Sequence, residues 1–117
     1  MKQAVVYGIP NCDTVKKAID WLKLNEVECV FHNYKKEGIS KEKLTAWFEL
    51  VGWETVMNRR SSSWRALTAK EQSSVHGPAD ALKLMLANNS IIKRPIIEYK
   101  KQLLIGFDEV QYQKLFS

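Results

Sequence analysis

Cysteine is scarce in this 117-residue chain: there are two, Cys12 and Cys29. Two cysteines do not make the disulfide framework of a small secreted domain. Both are expected to be free thiols of a reducing compartment, which points to the cytoplasm. Long apolar runs are missing as well. None approaches the roughly 20 residues that span a membrane, and no signal-peptide core is expected ahead of the first strand. The chain has neither internal repeats nor a low-complexity tract. Its two histidines, His32 and His76, lack ligand spacing to another His or Cys, so no metal site is expected. Positive charge is in modest excess, +5. That favours anionic partners in general, but it is too small and too dispersed to argue for direct binding of nucleic acid.

What is present reads as one globular domain. Apolar residues make up 45% and charged residues 26% of the chain, which is enough for one real core. The stretch around which the rest is arranged is Tyr7-Gly8-Ile9-Pro10-Asn11-Cys12-Asp13-Thr14. The apolar run Ala4-Val5-Val6-Tyr7 leads into it. Val15, Ala18, Ile19 and Leu22 leave it at helical spacing. Gly8 and Pro10 mark the turn between the two. Cys12 therefore sits where a strand ends and a helix begins. Backbone N–H groups lack partners there and the helix dipole is positive, so a thiolate is stabilised and can act as a nucleophile.

The first strand is expected over Gln3 to Tyr7, and the first helix from Cys12 or Asp13 to Leu24, with Asn25 as its stop. Glu28 to Asn33 suits a second strand. Strand, helix and strand within about 30 residues predict a parallel βαβ unit. Lys35 to Gly38 reads as a charged loop. Ser40 caps a helix with Leu44, Trp47, Phe48 and Val51 along one face, and Gly52 ends it. A short turn over Trp53 to Met57 and the polar segment Asn58 to Ser63 follow. Thr68 and Glu71 have capping-box spacing. Pro78 opens a helix with Leu82, Met85 and Leu86 buried. Ile96 to Tyr99 and Gln102 to Ile105 are the last strands, joined through Lys100-Lys101 without the Gly or Asn of a tight hairpin. Asp108 caps a final helix carrying Val110 and Leu115. Trp21, Trp47, Trp53 and Trp64 are assigned to the core.

This order, β-α-β, a helical middle, then β-β-α, predicts an α/β fold of thioredoxin type. Its sheet is mixed and four-stranded, with an all-helical insertion between the second and third strands. One domain is expected over 1–117, with 1–34 and 91–117 as core and 35–90 as insertion.

Several motifs in this order resemble one known family. They are Tyr7-Gly8-Ile9 with Asn11-Cys12, Leu44 to Gly52, Asn58-x-Arg60 with Trp64-Arg65-x-Leu67, and Ile92-Lys93-Arg94-Pro95-Ile96 followed by Ile105-Gly106-Phe107. The chain resembles the glutaredoxin-coupled arsenate reductases and Spx-type regulators. Asn-Cys-Asp-Thr with Arg-Pro and Gly-Phe is most similar to the YffB-like subgroup. The resemblance implies one nucleophilic cysteine, Cys12, and arginines that hold an oxyanion. Arg94 matches one of these arginines. A second falls near Asn58, displaced here to Arg60 or Arg59, and a third falls near Gly106, where no arginine stands. The resemblance also implies a cis Arg94-Pro95 peptide facing the cysteine, with Pro95 as a backbone platform for an extended substrate.

Asn11 and Thr14 flank the sulfur as candidates for thiol support. For Thr14 the choice lies between donating its hydroxyl to the sulfur and helping to begin the helix. Arg94 can hold a carboxylate or oxyanion in a bidentate fork. Arg59, Arg60 and Arg65 with Lys93 form a basic group, read either as an anion site or as a solvated loop. Cys29, on a strand, is assigned to packing. Val15 stands where the Spx-type Cys-x-x-Cys would have its second thiol, so Cys12 needs an external one. The expected activity is thiol-disulfide reduction, with glutathione as co-substrate or glutaredoxin as partner, no tightly bound cofactor, and a monomeric chain. Arsenate reduction is the alternative enzyme. A regulator that docks on RNA polymerase is the alternative outside enzymology.

Overall fold

The computed structural model describes residues 2–117. The chain forms two compact units, one made of the residues up to Glu37 together with Arg94–Ser117, the other of Gly38–Lys93.

The first unit holds the sheet. Its strands are β1 (Gln3–Gly8), β2 (Glu28–Asn33), β3 (Ile96–Tyr99) and β4 (Gln102–Ile105), ordered β2-β1-β3-β4. β1 and β2 run parallel through helix α1 (Asp13–Leu24), with Ala4 opposite Cys29 and Gly8 opposite Asn33. β3 is antiparallel to both β1 and β4. The expected mixed, thioredoxin-like sheet is therefore the observed one.

Period-2 alternation splits the strands between two faces. Ala4, Val6, Ile97, Tyr99 and Leu104 turn to one face. They pack with Val15, Ala18 and Leu22 of α1 and with Tyr112 and Phe116 of the last helix. The opposite face carries Tyr7 and its paired neighbours His32 and Ile96. A further helical turn, α2 (Tyr34–Glu37), occupies the stretch read from sequence as a loop. Asn33 explains it. Its side chain accepts from Lys35 N at 2.9 Å, and its N–H donates to the Glu37 carboxylate at 3.0 Å. Reading Asn33 as the last strand residue hides this role as a helix start.

The second unit is helical: α3 (Lys41–Val51), α4 (Trp53–Val56), α5 (Ser62–Arg65), α6 (Ala69–Ser73), α7 (Pro78–Ala87) and a 3-10 turn over Asn89–Ile91. Ser40 caps α3, Thr68 and Glu71 complete the capping box of α6, and Pro78 opens α7. Leu86, expected inside, is 42% exposed, while Ala81 and Met85 take the buried stripe of α7. The last helix, α8 (Glu109–Phe116), belongs to the first unit and is capped by Asp108. Its buried pair is Tyr112 and Phe116, and Val110 is 63% exposed. In both helices a residue pair at i, i+4 sets the phase, so a leucine one position off in α7 and a valine two positions off in α8 face solvent. Trp47 and Trp64 are buried as expected, whereas Trp21 and Trp53 are half-buried.

The β3–β4 turn departs most from expectation. Lys100 and Lys101 both have positive φ, 48° and 65°, and make a two-residue hairpin without glycine or asparagine.

Candidate functional site

Cys12 is the N-cap residue of α1, with extended backbone (φ −133°, ψ 119°). Its carbonyl accepts the first helical bond, from Lys16 N at 3.0 Å. Its side chain makes no capping bond. The sulfur is thus carried at the helix N-terminus, where the first backbone N–H groups have no helical acceptor. The thiol is free and half-buried, against the core of the first unit. Asn11 and Thr14 are exposed on either side.

Gly8 is where the neighbourhood closes in. A Cβ there would stand 2.7 Å from Val15 Cγ2 and 3.7 Å from Arg94 Cβ. The end of β1, the first turn of α1 and the Arg94 stem therefore meet at one glycine. Arg94 enters β3 through a cis peptide to Pro95, the isomer the resemblance implied. Pro95 is buried, and its carbonyl accepts from Gly106 N at 2.8 Å. Proline has no N–H, so a substrate strand pairing at Pro95 must use the second lone pair of that carbonyl.

Arg59 and Arg60 lie in the second unit, both exposed. Their loop is built on Asn58. The Asn58 side chain accepts from Arg60 N at 3.0 Å, and its carbonyl accepts from Ser61 Oγ at 3.0 Å. Asn58 N in turn donates to Ile91 O at 2.6 Å. The Arg59 guanidinium lies 5.9 Å from the ring centroids of both Trp53 and Trp64. Contact with aromatic faces leaves the in-plane N–H fork of a guanidinium available to an anion. Arg59 and Arg60 have no carboxylate partner among the described residues.

One cluster was not read from sequence. On the sheet face away from the main core, Tyr7 donates its hydroxyl to Glu98 Oε1 at 2.6 Å. The Tyr7 ring lies 4.8 Å from His32 and 6.4 Å from Tyr34. Burial, then Glu98, pushes the Tyr7 phenol well above the usual range. Tyr34 is pushed up too, by burial first and then by Tyr7, with Arg94 acting the other way. The signal available in sequence was a single carboxylate, Glu98, inside an apolar strand.

Cys29 lies on the edge strand β2, half-buried, with burial pushing its thiol up and Lys23 partly offsetting that. Cys29 pairs with Ala4 at the start of β1, and Cys12 follows its end. Helix α1, about 18 Å long at 1.5 Å per residue, separates Cys12 from the β2 side of the sheet. A disulfide needs Cα atoms within about 7 Å, so the two thiols are out of reach of each other.

Residues 7–115 match the ArsC family. This chain belongs to the ArsC family. It is similar to a solved YFFB protein, at 40% identity and TM-score 0.92, with 97% of this chain and 99% of that one covered. It is also similar to an arsenate reductase (ArsC) related protein from Brucella melitensis, at 41% identity and TM-score 0.77, covering 100% of this chain and 96% of that one. The global transcriptional regulator Spx of Streptococcus pyogenes is 30% identical over 111 residues, 92% of this chain and 81% of the regulator. The ArsC-family membership, with YffB-like and Spx relatives, agrees with the motifs around Cys12 and Arg94. No helix among the described residues is long and apolar enough to cross a membrane.

Proposed function

We propose that this ArsC-family chain is a monothiol reductase that uses Cys12 and glutathione. The observation that carries the reading is the solitary sulfur at the α1 N-terminus, with the second cysteine at the far end of the sheet. The Cys12 thiolate attacks the glutathione sulfur of a mixed disulfide. The disulfide bond breaks, a Cys12–glutathione disulfide forms, and the substrate leaves as a thiolate that takes up a proton. A second glutathione thiolate then attacks that disulfide. It regenerates Cys12 and departs as oxidised glutathione, so the net change is mixed disulfide plus one free glutathione giving the substrate thiol plus oxidised glutathione.

In this reading Arg94 binds a carboxylate of glutathione and Pro95 borders the path of its backbone. Asn11 and Thr14 flank the reacting sulfur. Arg60 and Arg59 are the anion-binding arginines of the second unit. The test is turnover of a glutathionylated peptide, coupled to glutathione and its reductase. Cys12→Ser is expected to abolish it, and Arg94→Lys to raise KM for glutathione several-fold. A Cys12→Ser variant as fast as the parent sinks the proposal.

The similarity to an arsenate reductase related protein favours a second reading, in which arsenate takes the place of the mixed disulfide. Arsenate supplied with glutathione and glutaredoxin tests it. Little turnover is expected, because the resemblance puts two of the family's three arginines near Asn58 and Gly106, with no arginine near Gly106 and only the displaced Arg59 or Arg60 near Asn58. Docking on RNA polymerase is the reading suggested by the Spx relative. Val15 in place of a second cysteine removes the local disulfide switch, and a pulldown with purified polymerase that retains nothing disposes of it.

A further inference from the structure

Pro95 leaves one hydrogen bond missing from the sheet. In an antiparallel ladder, every second pair of opposite residues exchanges two backbone hydrogen bonds. Ile96 stands opposite Ile105, so the next pair outward is Pro95 and Gly106. Half of its exchange is present, because Gly106 N–H donates to the Pro95 carbonyl at 2.8 Å. The other half cannot form, because proline has no N–H to offer the Gly106 carbonyl. That carbonyl accepts instead from the Tyr112 hydroxyl, at 2.5 Å. Tyr112 lies on α8, and a helical side chain leans toward the N-terminus of its own helix, here back over Gly106. Its ring is buried, edge-on to Phe107 at 5.2 Å and to Trp21 of α1 at 5.3 Å. Burial first, and Asp108 second, push its phenol up, so the hydroxyl remains a donor. Tyr112 therefore packs its ring on the helix that begins at Cys12 and bonds its hydroxyl to the residue that grips Pro95. Arg94 is next to Pro95 in the chain, and all of these residues belong to the first unit.

We propose that Tyr112 is a positioning residue of the glutathione site: its hydroxyl supplies the donor that Pro95 lacks, and so fixes the Arg94-Pro95 segment relative to Cys12. This role rests on the glutathione reading of the site and adds to it a residue that touches no substrate. Without the hydroxyl, the Gly106 carbonyl has no donor and the end of the β3–β4 ladder loosens. The Arg94 fork then samples more orientations, which costs affinity for a glutathione carboxylate. The sulfur of Cys12 keeps its place at the start of α1, so the reacting group itself is unaltered.

Tyr112→Phe removes the hydroxyl and keeps the ring. In the coupled assay on the full chain it is expected to raise KM for glutathione about threefold or more, with kcat held within about twofold. Alkylation of Cys12 at neutral pH is expected to keep the parent rate. Amide exchange at Gly106, read by NMR, is expected to quicken about tenfold more than exchange at Val6 in the middle of the sheet. Phe116→Leu trims the same buried cluster and leaves that hydrogen bond in place. It is expected to lower Tm at least as much, with KM for glutathione and the Gly106-to-Val6 exchange ratio unchanged. Unchanged Gly106 exchange in Tyr112→Phe overturns the proposal, as does faster exchange with an unchanged KM. So does a loss confined to kcat, slower alkylation of Cys12, or an equal rise of KM in Phe116→Leu. Failure of the glutathione reading shows separately, as Cys12→Ser turnover equal to the parent's, and takes the proposal with it.

Discussion

Tyr7 donates to Glu98 from inside the sheet, and its phenol is held protonated by burial first and by that carboxylate second. The raised folded value means that the native state keeps a proton the unfolded chain gives up near pH 10. The stability this contributes is fully present below about pH 10 and is lost as pH rises beyond it. Tyr34 and Tyr112, both raised by burial, act in the same direction. Tyr7→Phe is therefore expected to lose about 1 kcal/mol at pH 7 and to show a shallower decline above pH 10, read from urea melts at both pH values. A decline as steep as the parent's contradicts this account. Cys29 supplies a second prediction at this scale. Burial raises its thiol and Lys23 pulls it back, so its alkylation at pH 8 is expected to be slower than that of an unfolded cysteine peptide. Lys23→Gln should slow it further, as measured by peptide mass spectrometry.

At the scale of elements, β1 and α1 approach through Gly8. An added Cβ at 2.7 Å from Val15 Cγ2 must move a β-branched side chain that has little rotamer freedom. Gly8→Ala is expected to destabilise the protein by about 1–3 kcal/mol and to lower turnover with Cys12 intact. Thermal melts and the coupled assay check both, and Gly8→Ala/Val15→Ala should recover much of the stability. Elements with strong end signals were legible from sequence. Ser40, the Thr68–Glu71 box, Pro78 and Asp108 begin helices where expected, because capping chemistry is local. The turn over Tyr34–Glu37 was missed because Asn33 belongs at once to a strand and to a helix start. Leu86 of α7, read as buried, is exposed while Met85 is buried as read, because leucine looks as apolar as the alanine at 81 that packing selects.

For the whole molecule, the antiparallel run of α1 against a parallel strand pair sends the two cysteines to different ends of the sheet. Oxidation of the purified chain with diamide is expected to yield no Cys12–Cys29 link, and oxidised glutathione should instead cap Cys12. Intact-mass and peptide analysis read both. A high yield of the internal disulfide would show that Cys12 can be resolved without an external thiol, against the proposed cycle.

Local chemistry written in the sequence was enough for the strands, the βαβ unit, the mixed four-stranded sheet and the placement of Cys12 at the start of α1. Periodicity, caps and turn residues act over a few positions and leave a linear trace. The tertiary structure alone decided which apolar side chains are inside, since burial depends on helix phase against a partner surface. It also decided that Glu98 is held by Tyr7, 91 residues away in the chain, and that Cys29 is out of reach of Cys12. Neither relation leaves a linear trace, because strand register and helix direction bring distant residues together or hold them apart.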